Sequence, residues 1–160
     1  ALVADWIAED RKIIFLDIRE VHELETGHIA GAWLMPMGDV PAGKDELPTG
    51  AELVVYCAAG ARSYGVAHHL REHGFTAWSM VGGIGSWLAQ GGEQVVPTGG
   101  GFHPAQRVRL TDIAAQRLSA STGPASIQEI QQGDEGPIYA VAVDRTRVEG
   151  LTAADLVELP

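Results

Sequence analysis

Cys57, the chain's single cysteine, follows the apolar run Leu53-Val54-Val55-Tyr56 and precedes Ala58-Ala59-Gly60-Ala61-Arg62-Ser63. A thiol reacts as its thiolate, and free cysteine, with a pKa of about 8.5, is only about 3% ionised at pH 7. A nucleophilic role therefore needs surroundings that favour the anion. The loop after Cys57 has the composition to supply them. Its side chains are small and Gly60 can take a positive φ, so successive N–H groups can curl around the sulfur as an anion-binding nest. A helical pattern begins near Ser63 and brings its positive end, while Arg62 adds a full charge. Charge-assisted hydrogen bonds contribute about 1.5–3 kcal/mol each, against roughly 0.3–1 for a helix terminus. The loop amides should dominate, and no general-base histidine is required. The competing reading is an inert core thiol, since free cysteine is among the most buried residue types. A strand-end position and a small-residue loop before a helix argue against it.

Three apolar segments must position this loop. Ile13-Ile14-Phe15-Leu16, Leu53-Val54-Val55-Tyr56 and Ala77-Trp78-Ser79-Met80-Val81 read as strands buried on both faces of a parallel sheet. Val66, Ala67 and Leu70 recur at helical spacing after Ser63, with His73-Gly74 as the stop. Leu2, Trp6 and Ile7 predict a helix before the first strand, and Ile84 to Ala89 a short one before Gly91-Gly92. The alternation predicts an α/β fold: a small, mainly parallel sheet flanked by helices, with its ligand site beyond the carboxyl ends of the strands. Asp17, Arg19, Cys57 and Gly82 fall at or just past such ends.

Val96-Pro97-Thr98-Gly99-Gly100-Gly101 punctuates the chain as a linker would. The expected organisation is a catalytic domain over residues 1–96, a linker over 97–101 and an accessory module over 102–160. In that small mixed α/β module, Thr111–Leu118, Ala125–Gln132 and Thr152–Val157 read as helices, and Ile138–Val143 as a strand. It has no Cys, no Lys and only His103, so it offers little catalytic chemistry.

The 160 residues, 46% of them hydrophobic, suffice for one substantial core and a small second unit. A formal charge of -10 repels phosphate backbones and anionic headgroups, which excludes nucleic acid and membrane surfaces as expected partners. The apolar runs are far shorter than the roughly 20 residues of a membrane helix. No basic segment followed by an apolar stretch opens the chain, although a start at Ala1 rather than Met is the mark of trimming or of a longer parent. One cysteine excludes an intramolecular disulfide framework and a multi-cysteine metal site, and a lone thiol fits a reducing cytoplasm. His69 and His73 share a helix face at a spacing that metal sites use, but lack a third ligand, so neither metal nor cofactor is expected. Gly82-Gly83-Ile84-Gly85 fits neither the dinucleotide fingerprint nor the P-loop and is read as close packing beside the Cys57 loop. The tryptophans are core or rim aromatics, with Trp33 placed to line the site mouth. Arg107 and Arg109 read as a solvated face.

Taken in order, these segments resemble the rhodanese family from about Leu2 to Gly91. Leu16-Asp17-Ile18-Arg19-Glu20 is similar to its Leu-Asp-x-Arg strand end. Glu23-Leu24 followed by Gly27-His28-Ile29-Ala30-Gly31-Ala32 is similar to its Gly-His-Ile-x-Gly-Ala turn. Cys57 to Ser63 matches its Cys-x-x-Gly-x-Arg-Ser active loop, and Gly82-Gly83 with Trp87 its closing element. The resemblance implies a sulfurtransferase with a ping-pong cycle in which Cys57 becomes a persulfide cradled by Ala58, Ala59, Gly60, Ala61, Arg62 and Ser63. The donor would be thiosulfate, a mercaptopyruvate-like thiol or glutathione persulfide, and the acceptor cyanide or another thiol. It also implies that His28 locks a turn, and that Arg62 forms an ion pair with Asp17 or Glu23. That anchoring role is preferred to donor binding because a charge held inside needs its partner. Asp17, Arg19 and Glu23 are accordingly expected at the loop anchor or site rim. Two alternatives stand beside the enzyme: a non-catalytic sulfur-relay or protein-docking module, and a cysteine-dependent phosphatase. Related phosphatases place five residues between Cys and Arg, where this sequence has four.

Overall fold

The computed structural model describes residues 2–97, 104–118, 120, 123–134, 136–143 and 145–158. Apart from Pro97, the expected linker lies outside these residues, as does His103. Along the chain run α1 (Leu2–Ala8), β1 (Ile13–Asp17), α2 (Val21–Leu24), β2 (Trp33–Leu34), α3 (Val40–Gly43), β3 (Glu52–Tyr56), α4 (Ala61–Glu72), β4 (Ala77–Ser79) and α5 (Gly83–Ala89). Their strands form one all-parallel sheet in the order β2-β1-β3-β4. The expected α/β domain is therefore present, with β2 as a fourth strand.

Because side chains alternate across a strand, β3 serves two cores at once. Leu53 and Val55 pack with Leu16 and with Val66, Ala67 and Leu70 of α4. Val54 and Tyr56 point the other way, to Trp6 of α1 and Ile84 of α5. Trp33 pairs in register with Leu16 and is buried in the α4-side core. This corrects its expected place at the site mouth, because two strand residues were enough to draw it inside.

The remaining elements are β5 (Arg107–Leu110), α6 (Asp112–Leu118), β6 (Ala125–Gly133), β7 (Gly136–Val143), β8 (Thr146–Leu151) and β9 (Leu156–Glu158). Their strands form an antiparallel sheet ordered β8-β7-β6-β5-β9, with Ile127, Ile130, Tyr139, Val141 and Leu151 in its core. Two expected helices are strands. In β6 a bulge between Ile127 and Glu129 breaks the two-residue alternation, so Ile127 and Ile130 both reach the core at a spacing that imitates a helix. At Thr152 a capping box does start a turn, but only Ala153–Asp155 follow it, as a 3₁₀ turn. Leu156 and Val157 then pair with β5.

The bulge has a second consequence. Gln128, buried at its centre, reaches across to the outer edge of β2, where its Oε1 accepts from Leu34 N–H and its Nε2 donates to Leu34 C=O. The side-chain amide thus completes an edge that would otherwise leave buried backbone groups unpaired. Arg145 donates to the Leu47 carbonyl, Arg147 to that of Ala32, and Arg107 forms a two-pronged bridge to Glu46. Arg107 stays exposed, as the solvated-face reading expects, and its guanidinium also joins this seam between the sheets. Gln128→Ala strands the N–H and C=O of Leu34 together, and denaturant melting should report a loss of about 2–4 kcal/mol.

Among the described residues, no helix is long and apolar enough to cross a membrane.

Candidate active site

β3 ends at Tyr56 and the chain turns through Cys57 to Gly60 before α4 begins. Gly60, at φ 99°, takes the left-handed conformation that aims the next amides back towards the sulfur. Gly60 N–H donates to Cys57 Sγ at 3.1 Å. Ser63 Oγ lies 3.8 Å from Sγ, 3.1 Å from the Gly60 carbonyl and 2.9 Å from Ser79 Oγ. The carbonyls of the loop are held on the other side: Ile84 N–H donates to Cys57 O at 2.9 Å and Gly85 N–H to Ala58 O at 3.2 Å. With the Cys57 and Ala58 carbonyls taken by α5 and that of Gly60 by Ser63, the Gly60 N–H is left to face the sulfur.

Cys57 is itself buried, 1% exposed, so burial alone does not separate a nucleophile from a core thiol. The electrostatics do. Burial pushes the thiol up, but the amides of Ser63, Gly60 and Ala59 and the Ser63 hydroxyl outweigh it and hold the pKa below the ordinary value. Alkylation of Cys57 by iodoacetamide should accordingly follow a titration whose midpoint lies below that of an unperturbed thiol. Ser63→Ala should move that midpoint upward.

The expected anchors divide into two linked pairs. Arg62 donates to both carboxylate oxygens of Glu23, at 2.8 and 2.7 Å. The Arg62 hydrogen bond, against some desolvation, lowers the Glu23 carboxyl to about 2, and Glu23 in turn raises Arg62. Asp17 is fully buried and does not meet Arg62; its carboxylate binds Arg19 through Nε and Nη2. Arg19 also donates to the carbonyls of Glu23 and Gly27, at 3.4 and 2.7 Å. Asp17 therefore holds Arg19, Arg19 holds the segment carrying Glu23, and Glu23 holds the start of α4. Of the two partners expected for Arg62, the geometry selects Glu23.

Ala58, Ala59 and Ala61 are exposed on the outer side of the loop. His28 is buried, with Nδ1 3.1 Å from the Ile29 carbonyl, in the turn beside Gly27. The His69 and His73 rings lie 4.3 Å apart, tilted by 41°, and no group of three metal-ligating side chains occurs among the described residues. Two supports escaped the sequence reading. Ser79, at the end of β4, completes the hydroxyl pair beside the sulfur. Tyr56 Oη accepts from Ile29 N–H at 3.0 Å and ties the turn to β3. The signal for Ser79 was its place as a polar residue in an otherwise apolar strand ending.

Sheet and loop together define an α/β domain with an amide-cradled cysteine at the carboxyl end of a central parallel strand. Residues 2–90 match the family described as Rhodanese-like domain, and the chain belongs to that family. A protein named Sulfurtransferase from Allochromatium vinosum is 33% identical over 94 residues, 58% of this chain and 88% of that protein. Thiosulfate sulfurtransferase GlpE from Coxiella burnetii is 32% identical over 84 residues, 52% of this chain and 78% of the relative. A rhodanese-related protein from Thermoplasma volcanium, solved by crystallography, is 30% identical with a TM-score of 0.55, covering 58% of this chain and 93% of that one. The family match ends before the antiparallel sheet begins.

Proposed function

We propose that this chain is a sulfurtransferase that moves a sulfane sulfur from a donor to a nucleophilic acceptor through a persulfide on Cys57. The observation that carries the reading is the convergence of the Gly60, Ser63 and Ala59 amides on a sulfur whose pKa they lower. With thiosulfate, the Cys57 thiolate attacks the outer sulfur, the S–S bond breaks, and sulfite leaves with the electron pair. The terminal sulfur of the resulting persulfide carries the negative charge and occupies the nest. Cyanide then attacks that sulfur, thiocyanate leaves, and the thiolate returns. No cofactor enters either half.

Residues 1–96 form the catalytic unit in this reading, 97–101 the linker, and 102–160 an accessory module that braces the β2 edge through Gln128. Four residues between Cys57 and Arg62 make a ring suited to one sulfur atom, which separates the site from the longer phosphatase loop. A lone reactive thiol suits a reducing cytoplasm. A sulfur-relay role draws on the exposed, uncharged Ala58, Ala59 and Ala61, which would let a protein partner approach the loop.

Intact mass after incubation with thiosulfate or glutathione persulfide provides the test. A gain of one sulfur on the wild-type chain, lost on adding cyanide with release of thiocyanate, is the expected result. No gain from either donor would sink the enzyme. A gain only from a partner desulfurase would favour the relay.

A further inference from the structure

We infer that Glu23 sets the charge preference of the site: by neutralising Arg62 it turns the enzyme away from dianionic sulfur donors and towards donors with less charge at the reacting group. The inference rests on the sulfurtransferase reading and specifies its substrate class.

Arg62 is the second residue of α4, at the end of the Cys57 loop and next to Ser63, whose Oγ lies 3.8 Å from Sγ. It is the natural counter-charge for an anionic donor approaching Sγ. Glu23 removes that use. Both carboxylate oxygens are taken by Arg62 in a two-pronged bridge, and the side chains are only 32% and 21% exposed, so water screens the pair weakly. The remaining groups at the sulfur are amides and the Ser63 and Ser79 hydroxyls, while the outer loop positions are alanines. These dipoles suffice for the single negative charge of a thiolate or persulfide. Thiosulfate brings two more charges to a thiolate that already carries one, and meets a pair with no net charge. Its approach costs more than that of a donor carrying one charge on the same S–S unit.

Benzenethiosulfonate is such a donor. The thiolate takes its outer sulfur, the S–S bond breaks, and benzenesulfinate leaves with the electron pair, so the chemistry parallels that of thiosulfate with one negative charge fewer. The quantity to measure is the ratio of kcat/KM for thiosulfate to that for benzenethiosulfonate, with cyanide as acceptor. Effects on the thiol pKa or on loop geometry touch both donors and cancel in this ratio.

Wild type should favour benzenethiosulfonate. Glu23→Gln frees the Arg62 charge and should raise the ratio about tenfold, as one unscreened charge near the sulfur would. It should also make the thiosulfate KM rise more steeply with salt. Ala59→Lys adds a cation at an exposed loop position without touching the pair and should move the ratio the same way, which keeps the test available if Glu23→Gln folds poorly. A ratio unchanged in a folded Glu23→Gln variant, a ratio unchanged in Ala59→Lys where Glu23→Gln does not fold, or a wild type that already favours thiosulfate, overturns the inference while persulfide formation still stands. If intact mass shows sulfur on Cys57 from neither donor, the underlying reading fails as well.

Discussion

Cys57→Ser should abolish thiocyanate production and sulfur uptake, a loss of at least about a thousandfold, while leaving the protein folded. The chemistry requires a soft nucleophile that is ionised near neutral pH and can hold a sulfane sulfur, and an alcohol does neither. The fold should tolerate the exchange because serine has nearly the same shape and its oxygen can still accept from Gly60 N–H, now 3.1 Å from Sγ. The stability change should stay below about 1–2 kcal/mol. Cys57→Ala makes the informative contrast. It is equally inactive, but it leaves the convergent amides without an acceptor in a buried site, and should be the less stable of the two by about 1–3 kcal/mol. Equal melting curves for the two variants would mean that the amides do not need the atom at position 57, and the nest would lose its energetic meaning. Full activity in the serine variant would end the case for Cys57 altogether.

The rhodanese-like part of this architecture was legible because its signals are local. A β-branched run, a turn of small residues and a helical repeat lie consecutively from Leu53 to Leu70, and neighbours in sequence remain neighbours in space. Glu23 and Asp17 were harder to separate. Both are carboxylates near an early strand end, and only the three-dimensional path shows that Arg19 consumes Asp17 and leaves Glu23 to Arg62. The antiparallel sheet was read least well. Its pairing partners are distant in sequence, and the bulge at Gln128 places Ile127 and Ile130 on one face as a helix would. Trp33 failed for a related reason: a two-residue strand leaves no periodicity to read. What sequence pattern cannot carry here is register, and register decided each of these errors.

Gly83→Ala should be the most damaging single substitution outside the loop itself. Gly83 sits at φ 57°, and a Cβ built there would lie 2.2 Å from Cys57 O and 2.6 Å from Ala58 C. Both obstacles are backbone, so no side chain can swing aside to relieve them. The left-handed conformation alone costs an alanine about 1–2 kcal/mol. The clash forces α5 away from the loop, and with it the hydrogen bonds from Ile84 and Gly85 that hold the carbonyls of Cys57 and Ala58. Together these should cost about 3–5 kcal/mol of stability. They should also cost about a hundredfold in kcat in whatever protein remains folded, because a displacement near 1 Å suffices to spoil such alignment. Gly74→Ala supplies the control. Gly74 has φ 86° at the end of α4, and a Cβ there meets nothing within 4 Å. It carries the conformational cost without the collision, so it should lose about 1–2 kcal/mol and keep its activity. The difference between the two variants isolates what the contact between α5 and the Cys57 loop contributes. If Gly83→Ala melts and turns over like Gly74→Ala, the loop does not depend on that contact, and its carbonyls must be held in place by other means.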